Sequence, residues 1–271
     1  MNLIDTLFRD LRAAGRKAFI PFLPAGDPDL PATQTLLREV ARAGANLVEV
    51  GFPFSDPIAD GPVIQAAYTR ALDKGLRVED IFACLGEARR SPELATVPVI
   101  GMVSYSLVHR RGPEAFLDRA VAAGLSGAVV PDLPAEEAEP LARLAAGRDF
   151  KLILLVTPTT PPERAARIVR LASGFVYCVS VTGITGERDR LPDQLLVQLR
   201  RLREQTDLPL CVGFGVSRPE HVQMLREAAD GVIVGSAIVR KLERAGQVPF
   251  ETVVAEVREL VRGLVAALNP G

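Results

Sequence analysis

Glu49 and Asp60 are the side chains around which chemistry could be organised in this 271-residue sequence. Glu49 interrupts the apolar, β-branched run Leu47-Val-Glu-Val50, while Asp60 follows in a loop punctuated by Pro53, Pro57 and Gly61, just ahead of a helix-like stretch at 63–68. Alternation along a strand places Leu47, Glu49 and Gly51 on one face and Val48 and Val50 on the other. An acid in such a run is either an outward residue paired with a base on a covering helix or a group held for proton transfer, because burying it unpaired is costly. Asp60 reads either as a loop or helix-capping acid or as a second carboxylate of the same site.

Other chemistries find less support. Cys84, Cys178 and Cys211 have no C-x-x-C spacing and lie in apolar stretches, which reads as reduced core thiols of a cytoplasmic protein. His109 and His221 are far apart in sequence, and His221, just inside a helix start, reads as a surface residue rather than a metal ligand. A formal net charge of −1 with interspersed signs gives no broad attraction to nucleic acid or to an anionic membrane. No eighteen-residue apolar run or signal-like N-terminus is present.

The elements that must position the acids follow a repeated strand–helix rhythm. Short β-branched runs at 18–22, 47–50, 99–102, 127–130, 151–156, 174–179, 208–212 and 231–234 alternate with amphipathic stretches at 30–42, 78–90, 113–123, 135–146, 161–171, 192–205 and 219–228. A final helix is expected at 250–268 and an additional one at the N-terminus. Thr160-Pro-Pro-Glu163 and Ser217-Arg-Pro-Glu220 have the pattern of capping boxes. With 48% hydrophobic residues and short connections, eight such units predict an α/β TIM (β/α)8 barrel forming a single domain over 1–271. An open dinucleotide-binding sheet would want G-x-G-x-x-G after the first strand, where Phe22-Leu-Pro-Ala-Gly-Asp27 stands instead.

In a barrel, chemistry belongs at the C-terminal strand ends, where Glu49 and Asp60 fall. Gly213-Phe-Gly-Val-Ser217 and Gly235-Ser-Ala-Ile-Val239 follow the seventh and eighth strands, where glycines let backbone N–H groups approach a phosphate. Ordinary tight turns are the alternative. The long segment 181–190 has the composition of a lid or of an exposed connection.

Together these motifs resemble the tryptophan synthase alpha chain family over nearly the whole length. Pro21-Phe22, Gly26-Asp27-Pro28, the block from Val48 to Pro62, Pro131-Asp-Leu-Pro134, Thr182-Gly-Ile-Thr-Gly186 and the two glycine loops carry the resemblance. It implies a lyase that cleaves indole-3-glycerol phosphate to indole and glyceraldehyde 3-phosphate in tryptophan biosynthesis. It also implies that Glu49 is the catalytic acid/base and Asp60 the second catalytic carboxylate. By the same resemblance Tyr177 and Thr185 are active-site and lid residues, and Gly186, Phe214, Gly215, Gly235 and Ser236 form the phosphate cradle. Phe22, Tyr105, Val129 and Leu155 would line the indole pocket. A β chain partner in an alpha-beta-beta-alpha heterotetramer is implied too, meeting Asp56 and Pro57, with pyridoxal phosphate in that partner and no cofactor in this chain. One position departs from the family: Asn is usual two residues after the tyrosine matched by Tyr105, and here it is Leu107.

A retro-aldol cleavage needs a sink for the electrons of the breaking bond. Lys17 and Lys151 precede or begin strands, and Lys74 and Lys241 lie in helical or connecting regions, so none has the position of a Schiff-base lysine at a strand's C-terminal end. Protonation of indole at C3 turns its ring nitrogen into the sink, a task for one proton donor and one anion. Another phosphate-binding barrel enzyme, a docking subunit with feeble activity and a stand-alone indole-forming lyase are the competing readings.

Overall fold

The computed structural model describes residues 1–57, 60–180, 193–213, 215–216 and 218–270. Eight parallel strands close into a barrel in sequence order: β1 Ala18–Pro24, β2 Val48–Gly51, β3 Val99–Met102, β4 Gly127–Val129, β5 Lys151–Val156, β6 Val176–Val179, β7 Leu210–Gly213 and β8 Gly231–Val234. The last strand returns to the first, with Ala18 opposite Gly231 and Pro21 opposite Val234. This is the TIM barrel expected from the strand–helix rhythm.

α1 Leu3–Ala13 packs Ile4, Phe8 and Leu11 onto the barrel interior from below, and the other helices surround the barrel: α2 Leu30–Arg42, α3 Pro62–Leu72, α4 Val78–Ala88, α5 Tyr105–Arg111, α6 Pro113–Ala122, α7 Ala138–Ala146, α8 Pro162–Leu171, α9 Asp193–Arg203, α10 Pro219–Leu225, α11 Ser236–Leu242 and α12 Phe250–Leu268. The bounds of α2 and α12 match their apolar periodicity, and α1 supplies the additional N-terminal helix. Asp29 caps α2, its carboxylate accepting from Ala32 N at 2.7 Å. The capping box expected at Thr160 is absent. Pro161 takes the cap position of α8, and the Thr160 hydroxyl instead accepts from Thr157 N at 2.9 Å, closing the preceding turn.

The core has two parts, which explains the strands' near-continuous apolar runs. Leu47, Ile20, Ile100, Ile153 and Ile233 fill the barrel interior, whereas Val48 and Val50 belong to the shell between barrel and helices. Leu47 therefore fixes the inner face of β2, and the period of two puts Glu49 on it. His221 corrects an expectation: it is buried at 2% exposure, because α10 turns that side inward with Val222 and Leu225.

Candidate active site

Glu49 sits in register between Phe22 of β1 and Ile100 of β3 and is fully buried. Neither carboxyl oxygen has a hydrogen-bond partner among the described residues. Loss of hydration, then the nearby charge of Asp60, pushes its pKa up to about 8. Asp60 is half-buried at the end of the loop that leads into α3. The Asp60 backbone N–H donates to Pro57 O at 3.0 Å, and Gln65 Nε2 donates to Asp60 O at 2.8 Å, so the loop is tied to the helix that follows. Desolvation raises the Asp60 pKa to about 6. The two acids therefore interact across one site and resist ionising together.

A cavity of about 380 Å³ opens beside Asp60, lined among others by Asp60, Tyr68, Phe52, Met102, Ser104 and Asp132. Asp56 and Pro57 lie on its rim, Asp56 exposed and Pro57 half-buried. Asp132, from the Pro131-Asp-Leu-Pro134 motif, accepts from the Ser104 hydroxyl and from Tyr105 N, each at 2.7 Å. These bonds join the loop after β4 to the start of α5 and fix one wall of the cavity.

Phe22, Val129 and Tyr177 share the interior cluster and Leu155 packs against it. Tyr177 lies beside Leu155 and Cys211 in register, and its phenol pKa is raised by burial and then by Glu49 and Asp60. Tyr105 packs with Leu107 against the outer shell, its ring 5.9 Å from that of His109, so the departure at Leu107 places an apolar side chain on apolar neighbours. Gly215 has φ +76°, a conformation that favours glycine. Gly235 precedes Ser236 at the start of α11, beside Phe22. Thr185, Gly186 and Phe214 lie outside the described residues, as do the segment 181–190 and Ser217.

Sequence reasoning missed Tyr68, Asp132 and the Asp27–Arg70 pair. Tyr68 shares the buried face of α3 with Ile64, Ala67 and Ala71, a helical spacing that registers only as core. Asp27 is 1% exposed and receives a two-pronged bond from Arg70, Nε to Oδ1 at 3.0 Å and Nη2 to Oδ2 at 2.7 Å. Nothing in either local sequence points to the other. Among the described residues no cluster of His, Cys, Asp and Glu could hold a metal ion, and no helix is long and apolar enough to cross a membrane.

A closed parallel barrel with two hydration-starved carboxylates at the C-terminal end of one strand defines a TIM-barrel enzyme equipped for acid–base chemistry. The family model described as Tryptophan synthase alpha chain matches residues 8–269. The tryptophan synthase alpha chain of Rhodopirellula baltica is 46% identical over 276 residues, covering 99% of each chain. That of Synechocystis sp. is 48% identical over 243 residues, covering 89% of this chain and 91% of the relative. The crystal structure of tryptophan synthase subunit alpha from Legionella pneumophila aligns with TM-score 0.89 at 33% identity, covering 99% of this chain and 98% of that one. The chain belongs to the tryptophan synthase alpha chain family, the lyase subunit that cleaves indole-3-glycerol phosphate in tryptophan biosynthesis.

Proposed function

We propose that, within one catalytic domain spanning 1–271, Glu49 and Asp60 divide the cleavage between them. The observation that carries this reading is the orphaned, fully buried Glu49, whose carboxyl is held protonated toward neutral pH. Protonated Glu49 donates to indole C3, and the Asp60 carboxylate accepts from the ring N–H and stabilises the positive charge that develops there. The Glu49 carboxylate then removes the proton of the side-chain hydroxyl. As that O–H electron pair becomes the aldehyde C=O, the bond from C3 to the side chain breaks and its electrons flow to the ring nitrogen. Indole and glyceraldehyde 3-phosphate leave with no net gain or loss of protons.

The substrate's apolar ring suits the interior face formed by Phe22, Val129, Leu155 and Tyr177, and we assign Tyr105 to the outer edge of that pocket. Gly215, Gly235 and Ser236, together with Gly186, Thr185 and Phe214 by family resemblance, are our assignment for the phosphate end. Asp56 and Pro57 on the cavity rim are the proposed contact with a β chain, to which indole, small and neutral, would pass. Solved structures of tryptophan synthase from Mycobacterium tuberculosis, one of them 34% identical with TM-score 0.88, support such a complex. We further propose an alpha-beta-beta-alpha assembly in the cytoplasm, with pyridoxal phosphate in the β chain.

Indole release from indole-3-glycerol phosphate, measured with and without a cognate β chain, tests the reading. Glu49→Gln is expected to lower turnover about 10³-fold while leaving substrate affinity near the parent value. The parent is expected to accelerate when the β chain is added. Unchanged turnover in Glu49→Gln would remove Glu49 from the mechanism, and indifference to the β chain would remove the partner.

A further inference from the structure

Gly51 follows Glu49 on the inner face of β2, and the space its side chain would occupy is already filled. A Cβ built there collides with the Tyr68 hydroxyl and with the edge of the Phe22 ring. Tyr68, 3% exposed, therefore reaches from α3 into the barrel mouth and sets its hydroxyl one inward position beyond Glu49. It lines the same cavity as Asp60, and it makes no hydrogen bond among the described residues. Its phenol pKa is raised by burial, then by Asp60 and then by Glu49, so the group stays protonated and available as a donor.

The groups facing this point are nearly all acids or neutral donors. Glu49 comes from β2 and Tyr177 from β6, while Asp56 precedes Asp60 on its own loop and Asp132 follows β4; α11, which packs against α3, carries Arg240 and Lys241, neither of which lines the cavity. No lysine, arginine or histidine is among the described residues lining the cavity. A carboxylate that must ionise here has no cation to help it, which leaves neutral donors.

We propose that Tyr68 is a positioning residue for the cleavage: its hydroxyl, unbonded among the described residues, turns to donate a hydrogen bond to Asp60 when that carboxyl ionises, and so holds it charged beside the indole N–H. This rests on the role given to Asp60 above. Tyr68 moves no proton in the reaction; it acts through Asp60, and the helix that carries it begins two residues after that acid.

Indole release by the complex with the β chain should be followed across pH for the parent, Tyr68→Phe and Asp60→Asn. Loss of one charge-assisted hydrogen bond is expected to move the acid limb of kcat/KM upward by about one pH unit. On the plateau, where Asp60 is ionised with or without the bond, the loss should be smaller than on the acid limb. Replacing Tyr68 by a fluorinated tyrosine, a stronger donor of the same shape, should move the limb downward. An unmoved limb, or a loss equal at every pH, would overturn the proposal and leave Tyr68 as packing. If Tyr68→Phe lost its fold, the fluorinated tyrosine alone would decide, an unmoved limb again overturning the proposal. Parent-like turnover in Asp60→Asn would overturn the reading of Asp60 and this proposal with it. Slow Asp60→Asn beside an unmoved limb in Tyr68→Phe would sink only the tyrosine.

Discussion

At the floor of the barrel, Lys151 Nζ lies 2.6 Å from Asp5 and 3.9 Å from Asp149, and Asn2 donates to Ser126 O and Asp149 O while accepting from Ile4 N. Asp230 pairs with Arg203 and also accepts from Leu210 N at 2.9 Å. At the mouth, Glu49 is more deeply buried than any of these acids and meets none of these partners. The same kind of side chain is a fastener at one end and, in the proposed mechanism, a reagent at the other. What separates them is whether the fold supplies a compensating donor. Asp27 sharpens the point, because it lies at the mouth end of the neighbouring strand, is 1% exposed, and is nevertheless matched by Arg70.

If an unmatched acid costs stability, removing its charge should return it. Folding binds protons at Glu49, whose pKa rises from the usual 4.5 to about 8, so the penalty is absent below the unfolded value and grows as pH climbs toward the folded one. Glu49→Gln is expected to be about 5 kcal/mol more stable than the parent at pH 9 and equal to it at pH 4, read by urea denaturation at both values. A gain of the same size at both would break the comparison. For activity, the two acids predict a bell: Asp60 must be ionised, above about 6, and Glu49 protonated, below about 8.

The matched acid should behave in the opposite sense. Arg70→Ala leaves Asp27 buried and unpaired, and a loss of about 2 kcal/mol is expected, less than a fully buried pair would give because Arg70 is partly exposed. Denaturation of Arg70→Ala beside Arg70→Lys measures it, and a change under about 0.5 kcal/mol would place Asp27 with the indifferent surface pairs. The smallest effect is expected at Gly235, where an added Cβ would sit 3.5 Å from Phe22, an ordinary contact. Gly235→Ala should melt within about 0.5 kcal/mol of the parent while raising KM, since the missing side chain would serve a bound phosphate rather than the fold.

The sequence carried the barrel in its periodicities. The β2 run alternates so regularly that the inward face of Glu49 follows from Leu47, and α2 and α12 begin and end where their apolar stripes do. Relations between distant segments were not legible. His221 looks like a surface residue until α10 packs inward, and α5 has too short an apolar face to stand out from its loop. Asp132 reaches Tyr105 across 27 residues and Arg70 reaches Asp27 across 43, distances over which local pattern says nothing. Tyr68 fell between the two cases, because its helix was foreseen and the vacancy at Gly51 that its phenol fills was not.

The pairing of β1 with β8 also bears on how the protein is born. Ala18 leaves the ribosome roughly 200 residues before Gly231, its partner across the closing seam, and translation at about 5 to 20 residues per second makes that a wait of roughly 10 to 40 s. Through that interval the first strand carries an open edge whose side chains are destined to be wholly buried. A nascent chain stalled before residue 231 should therefore depend on a chaperone that the finished barrel can do without.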